Sequence, residues 1–189
     1  MAGSQEIKTQ IKSIQNTQKI TKAMEMVAAS KMRRAKEQME KARPYAFKIM
    51  NVISHLSRAH PEYNSVFFEK RETKKKAYIV ISSDRGLCGG LNNNIFKKII
   101  ETMIKNKDQE ILSAYSVFGN KAASFFQRIG GEVISQSTHL GDKPQIEQIL
   151  GTIKSTIDKF LNKEVDEVYI VYNKFKNTGT QIPTIEKIL

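Results

Sequence analysis

The first 57 residues constrain this chain more than any other part of it. From Gln5 to Ser57 the sequence reads as a nearly uninterrupted helix. Apolar or small residues recur every seventh position: Ile7, Ile14, Thr21, Ala28, Ala35, Ala42, Ile49, Leu56. A second row runs four residues behind: Ile11, Gln18, Glu25, Met32, Met39, Ala46, Ile53. This is a coiled-coil-type heptad, and its seam needs a partner helix. At 1.5 Å per residue the helix would extend roughly 80 Å, against about 30 Å for a small domain. Such an element is a lever, a shaft or a dimer handle.

The seam has informative defects. Gln18, Thr21 and Glu25 interrupt it, and the apolar residues there shift to Ile20, Met24 and Val27. Ala28, Ala35 and Ala42 would let a partner backbone approach closely. Leu occurs once in the two rows, which is unlike a two-stranded zipper. Pro44 removes a backbone donor and crowds the preceding turn, so the expectation is a kink near Arg43 or two helices in sequence. The heptad phase survives it through Ala46, Ile49, Ile53 and Leu56.

Charge gives the helix a second character. The chain carries a net +12 over 189 residues. Residues 1–50 hold 11 Lys and Arg against 4 Asp and Glu. The helix is thus a cationic rod, with Lys19, Lys22, Lys31, Arg33, Arg34, Lys36, Lys41 and Arg43 among its charges. A rod of this kind attracts polyanions: nucleic acid, anionic lipid or an acidic protein surface. Hydrophobic residues make up 40% of the chain, and no run of eighteen apolar residues exists, so no transmembrane span is expected. Neither a secretory signal nor a transit peptide is legible at the N-terminus. The single cysteine, Cys88, excludes an intramolecular disulfide, and three scattered histidines argue against structural zinc.

Beyond the helix, residues 58–76 read as a connector, anchored through Val66-Phe67-Phe68. A clear α/β alternation follows. Ala77–Ser82 is a β-branched run suited to a strand buried on both faces. Asn92 is expected to cap a helix to about Lys105, with Ile95, Phe96, Ile99, Ile100 and Met103 inward. Ile111–Phe118 is a second strand, Asn120–Ile129 a short helix stopped by Gly130-Gly131, and Glu132–Ser135 a third strand. Lys143-Pro144 is expected to open a helix to about Leu161, with Ile146, Ile149, Leu150, Ile153, Ile157 and Phe160 inward. Val168–Tyr172 is a fourth strand. Gln181–Ile185 is a fifth, antiparallel to it, and Pro183 places it at an edge. The expected fold is α/β: a three-layer α/β/α domain over 77–189, Rossmann-like, with a mostly parallel five-stranded sheet whose last strand is antiparallel. It is preceded by the long coiled-coil-type helix over 1–57.

The strongest candidate for chemistry is the loop Ser82-Ser83-Asp84-Arg85-Gly86-Leu87-Cys88-Gly89-Gly90-Leu91-Asn92, between first strand and following helix. Proteins of this class place phosphate loops there. The pattern is neither G-x-G-x-x-G nor G-x-x-x-x-G-K-[ST], since no lysine or hydroxyl directly follows Gly90. Gly86, Gly89 and Gly90 fit tight turning and close backbone contact better. Asp84 and Arg85 read as a local ion pair or an intersubunit contact rather than an acid and an anion ligand. Cys88 has no histidine near it in sequence; His55, His60 and His139 lie elsewhere. No catalytic constellation, metal site or cofactor site emerges.

Two segments carry a family resemblance. Thr17-Gln-Lys-Ile-Thr-Lys-Ala-Met-Glu-Met-Val-Ala-Ala-Ser-Lys-Met-Arg-Arg-Ala35 and Ser83-Asp-Arg-Gly-Leu-Cys-Gly-Gly-Leu-Asn92 resemble the gamma subunit of F-type ATP synthase, bacterial type, in order and spacing. The resemblance spans essentially the whole chain. It implies a non-catalytic central stalk whose helix stands inside a hexamer of alpha and beta subunits. The α/β domain then sits on the membrane c-ring with epsilon, and delta completes the partner set. Proton flow turns ring and shaft, and the asymmetric shaft drives the beta sites through different affinities. The implied place is the cytoplasmic face of the bacterial inner membrane, peripheral to it. By resemblance Lys19, Lys22, Met24, Lys31, Arg33 and Arg34 face the acidic region of beta. The loop with Asp84, Arg85, Gly86, Gly89 and Gly90 would support contacts with the stalk helices. Family members continue into a C-terminal helix that pairs antiparallel with the first, whereas this sequence stops at Leu189. The expectation is a fragment or a natural truncation that does not support full rotary coupling alone. Normal proton-driven synthesis with only this version would refute that.

Two other classes compete. A basic coiled-coil nucleic-acid binder would place its basic region before a Leu-rich heptad, whereas here the charges lie within a Leu-poor one. Duplex binding that persists at near-physiological salt would favour it. A small nucleotide-using enzyme would need the glycine loop, and ATP protection of the Gly86–Gly90 amides would favour that.

Overall fold

The computed structural model describes residues 2–59, 66–69 and 71–189, and the chain divides into two units, Met1–Glu62 and Tyr63–Leu189. Connector residues 60–65 and 70, and the side chains of Leu56 and Phe68, lie outside the described residues. The first unit holds one helix, α1 (Ala2–Ala59), of 58 residues with Pro44 inside it. Of the two outcomes expected at Pro44, a break into two helices is excluded. A proline costs an interior helix about 3 kcal/mol, and the long helical runs on both sides propagate through that single lost bond. The defect at Thr21 is also resolved locally: its hydroxyl donates to the Thr17 carbonyl at 2.8 Å. Every described side chain of α1 is exposed except the half-buried Met39. The seam residues Ile7 and Ile14 remain 60% and 68% exposed.

The second unit is built from β1 (Lys75–Ile81), α2 (Leu91–Asp108), β2 (Leu112–Phe118), α3 (Asn120–Ile129), β3 (Glu132–Ser137), α4 (Ile146–Leu161), β4 (Glu167–Asn177) and β5 (Thr180–Lys187). The sheet order is β3-β2-β1-β4-β5. β1 pairs parallel with β2 and β4, β2 parallel with β3, and β4 antiparallel with β5. β5 is an edge strand, as Pro183 requires. β1 is central, and Ala77–Val80 is buried on both faces. The pleat therefore sends Tyr78 and Val80 one way, against Ile95, Ile99 and Phe126 of α2 and α3. It sends Ala77 and Ile79 the other way, with Phe160 of α4. The three-layer α/β/α architecture is the expected one.

Several local expectations need correcting. Asn92 does not cap α2: the cap is Gly90, and Asn92 lies in the first turn with its side chain directed back into the preceding loop. Ile100 is 39% exposed rather than inward. Helix α4 begins at Ile146, after Pro144, where the Gln145 N–H donates to the Gln148 side chain at 2.9 Å. Its expected inward residues Ile146 and Leu150 are 68% and 56% exposed. Phe160 is buried as expected, with Ile149 and Ile153 packed on the same cluster, but Thr152 and Thr156 take the other buried places. The reason is a polar seam beneath α4: Ser116 and Thr156 share a hydrogen bond of 2.6 Å, and Ser135 donates to Ser116 at 3.3 Å. Small hydroxylated side chains on both elements set which face of α4 turns inward.

Candidate functional site

The loop between β1 and α2 lies at the carboxyl end of the central strand. On either side of β1 the sheet order reverses, so ligand crevices of doubly wound folds open at this place. What fills it here is the chain itself. All four amides at the start of α3 are bonded to the chain's own oxygens. Asn120 N–H donates to the Asp84 carboxylate at 3.0 Å and Lys121 N–H to the Ser83 carbonyl at 3.1 Å. Ala122 N–H donates to Ser82 Oγ at 2.8 Å and Ala123 N–H to the Gly119 carbonyl at 3.2 Å. A helix N-terminus that attracts anions therefore already holds one, Asp84.

Asp84 ties three loops together. Besides Asn120 it accepts the His139 N–H at 2.9 Å. Its pKa feels burial, which raises it, and the backbone N–H groups of His139, Asn120, Leu140 and Gly141, which together outweigh burial and lower it. Of the two readings of Asp84 and Arg85, the local ion pair gives way to these amides. Gly119 makes the arrangement possible. Its φ is +89°, and a Cβ there would lie 2.4 Å from the Ser82 carbonyl oxygen, so only glycine fits. The sequence reading missed Gly119, whose signal was a glycine immediately before a helix at a strand's end.

Asn92 holds the other side of the loop. Its Oδ1 accepts the Ser83 N–H at 3.1 Å, and its Nδ2 donates to Ser83 Oγ at 2.8 Å and to Cys88 Sγ at 3.3 Å. Cys88 is thus engaged by an amide rather than a base, and the His139 ring pairs with the Thr138 hydroxyl at 3.1 Å. With Asp84 and Asn92 pinning both ends, the tip is displayed. Leu87 is fully exposed at φ +60°, an uncommon conformation for a branched residue. Gly89 also turns at φ +60°, while Gly86 and Gly90 do not need positive φ. Beside the tip is an open cleft of about 880 Å³ whose lining includes Phe96, Phe125, Lys97, Lys121, Arg128 and Glu101. The geometry is that of a presented surface, not of an acid–base pair.

The second predicted set lies on α1, in the other unit. Lys19, Lys22, Met24, Lys31, Arg33 and Arg34 are all exposed. At ~100° per residue Lys19, Lys22 and Arg33 share one ~60° sector, and Met24 and Lys31 share another nearly opposite. They surround the helix rather than form one stripe. Arg33 pairs with Glu37 at 3.8 Å across one turn, with both side chains more than half exposed. Such pairs contribute about 0.3–0.5 kcal/mol. Among the described residues no group of three His, Cys, Asp or Glu could hold a metal ion. No described helix is long and apolar enough to cross a membrane.

A family model described as ATP synthase matches residues 3–189. The chain is 51% identical over its whole length to the ATP synthase gamma chain of Glaesserella parasuis serovar 5 (strain SH0165). It is 49% identical to that of Nitrosococcus oceani. It spans 66% and 65% of those two relatives. Among solved structures, a chain from the Tetrahymena thermophila mitochondrial ATP synthase central stalk and c-ring matches with a TM-score of 0.66 and 24% identity. That match covers 90% of this chain and 72% of the other, and is a likeness of fold.

Proposed function

The chain belongs to the gamma-chain family of ATP synthases, and from that premise we propose that it works as the central-stalk rotor of an F-type, proton-translocating enzyme. In this reading α1 is half of a drive shaft within a hexamer of alpha and beta subunits. The α/β domain sits with epsilon on the c-ring, delta belongs to the same complex, and the chain performs no bond chemistry itself. Proton flow turns the ring. The shaft's asymmetry then carries each beta site through its binding states, which couples rotation to ATP synthesis or hydrolysis. The chain meets the membrane only through its complex, at the cytoplasmic face of a bacterial inner membrane.

The observation that carries this reading is α1 itself. A 58-residue helix with an exposed heptad seam and a cationic surface has no stable reason to exist without partners on several sides. Acidic surfaces of beta around Lys19, Lys22, Met24, Lys31, Arg33 and Arg34 supply them. The nucleotide-enzyme alternative is disfavoured by the glycine loop itself, which carries no lysine or hydroxyl directly after Gly90. The test is co-purification of the chain with an alpha–beta hexamer, followed by rotation of the complex under ATP. The expected result is a single copy per hexamer, turning with hydrolysis. A hexamer that excludes the chain, with salt-resistant duplex binding in its place, would overturn the reading.

A further inference from the structure

We propose that the groove between the carboxyl-terminal ends of α2 and α3 binds a small neutral acyl compound, an aliphatic chain bearing a carbonyl oxygen that accepts a hydrogen bond from Tyr115. The groove lies at the amino end of the sheet, away from the loop held by Asp84 and Asn92. Its volume is about 820 Å³, within the range of a few hundred to about 1,000 Å³ common for small-molecule pockets. Ile100, Ile104, Leu112 and Ile129 line it, and all four are exposed. An aliphatic chain laid along them is stabilised in proportion to the apolar area it covers.

The groove also offers one polar group. Tyr115 of β2, a lining residue, stacks on Tyr78 of β1 at 5.8 Å, and Tyr78 stacks on Tyr169 of β4 at 5.4 Å. Two hydroxyls of this row are satisfied. Tyr169 donates to Glu167 at 2.9 Å, and Tyr78 accepts from the Asn106 side chain at 2.7 Å. Tyr115 is 1% exposed, and among the described residues its hydroxyl is the sole buried side-chain nitrogen or oxygen without a hydrogen-bond partner. Burial pushes its pKa up to about 12, so at neutral pH it keeps its proton and remains a donor. Ser113 pulls that pKa the other way without reaching hydrogen-bond geometry; its Oγ accepts the Asn106 amide at 2.9 Å. A buried hydroxyl left unpaired is costly, and an acceptor carried in by a ligand removes that cost.

The walls select the kind of acceptor. A Cβ at Gly131 would come within 3.2 Å of the Tyr115 ring and 3.1 Å of the Phe126 ring, so glycine leaves the space beside Tyr115 unfilled. Met103, unbranched and half-buried, is the wall residue that can swing to admit an oxygen to the hydroxyl. The rim sets Lys107 against Glu110 and Glu132, and Glu132 is held by Lys75 at 2.7 Å. An anionic head would meet this acidic pair and lose hydration against aliphatic walls. A ketone or ester oxygen accepts the same hydrogen bond at far smaller desolvation cost.

The experiment titrates the full chain, labelled at its isoleucine methyls, with 2-octanone and follows the methyl NMR shifts. Saturable shifts are expected at Ile100, Ile104 and Ile129, with none at Ile14 of α1. Tyr115→Phe should weaken binding by about threefold to tenfold, and Ile104→Gln by about fivefold or more. Octanoate should bind these methyls at least about tenfold more weakly than the ketone. In the free chain Tyr115→Phe should leave the unfolding midpoint equal or higher, because it removes an unpaired buried group. Linear shifts shared with Ile14, or unchanged affinity in Tyr115→Phe, overturn the site. So does a lowered unfolding midpoint in Tyr115→Phe, which would mean that the hydroxyl is already bonded within the chain. Shifts produced by raising the protein concentration alone, the mark of a second copy, or only by phosphatidylcholine vesicles, the mark of a lipid surface, overturn it as well.

Discussion

The two units of this chain reach order by opposite routes. The α/β domain owns its core: Tyr78, Val80, Ile99, Tyr115, Val117 and Phe126 are each no more than 1% exposed. The helix owns almost nothing. Its large apolar residues stand in solvent, from Ile49 at 39% to Tyr45 at 71%. One unit carries its stability in its own sequence, and the other depends on what surrounds it. Substitutions of equal chemical size should therefore have unequal effects in the two places.

The largest expected effect is Phe126→Ala. Phe126 is fully buried and stacks on Tyr115 at 4.1 Å and edge-on to Phe125 at 5.1 Å. Truncating it should destabilise the domain by about 3–5 kcal/mol, read by denaturant unfolding of the whole chain. A loss below about 1 kcal/mol would mean that the core collapses around the gap, as far less rigid interiors do. Next is Gly119→Ala. A side chain there meets a backbone carbonyl, which cannot swing aside, in a backbone region unfavourable to any Cβ. The expected cost is about 3 kcal/mol, measured the same way. Because Gly119 lies under Ser82, exchange at the Ser82–Asp84 loop should quicken first.

The same contrast decides how much of the molecule was legible in sequence. Layers and strand direction were readable because a run such as Ala77–Val80 has one stable environment, the middle of a sheet. Helix α3 was readable from Asn120 to Ile129 because Gly130, at φ +68°, stops it by a local rule. Helix α4 was only half readable: Ile149, Ile153 and Phe160 lie inward as expected, but Ile146 and Leu150 do not, because part of the buried face is built from Thr152 and Thr156, whose value lies in partners on β2 and β3. Asn92 was misread as a cap for a related reason: its three hydrogen bonds all reach into the loop before the helix. Asp84 was found as a residue but not as a role. Its partners come from two loops 36 and 55 residues away, and no spacing rule spans that distance.

Asp84 supplies a smaller, pH-dependent effect within the domain. Its folded pKa lies below the ordinary aspartate value. The carboxylate's stabilisation is therefore complete above that ordinary value and is lost as pH falls through the folded one. Acidification through that window should release the Asn120 and His139 amides, seen as faster exchange relative to the sheet. Asp84→Asn should mimic this at neutral pH, by about tenfold at those two amides, and should flatten the acid dependence. Unchanged exchange in Asp84→Asn would assign the loop's order to Asn92 and Gly119 instead.

The smallest expected effect tests the comparison most directly. Ile14 lies on the heptad seam yet is 68% exposed. Ile14→Ala removes as much apolar volume as many core truncations. Alanine is also the better helix former, by less than about 0.7 kcal/mol. In the isolated chain the change should leave stability within about 0.5 kcal/mol of wild type, with helicity by circular dichroism equal or slightly higher. A partner packed on the seam reverses the sign, because the methylenes then leave a cavity, at a cost of about 2 kcal/mol or more. The informative measurement is thus paired: unfolding of the free chain, and affinity for the alpha–beta hexamer. Loss in the second without loss in the first identifies a face whose packing energy lies wholly in the complex. Loss in both would mean that the packing energy of the seam does not lie wholly in the complex, which would break the contrast between the two units.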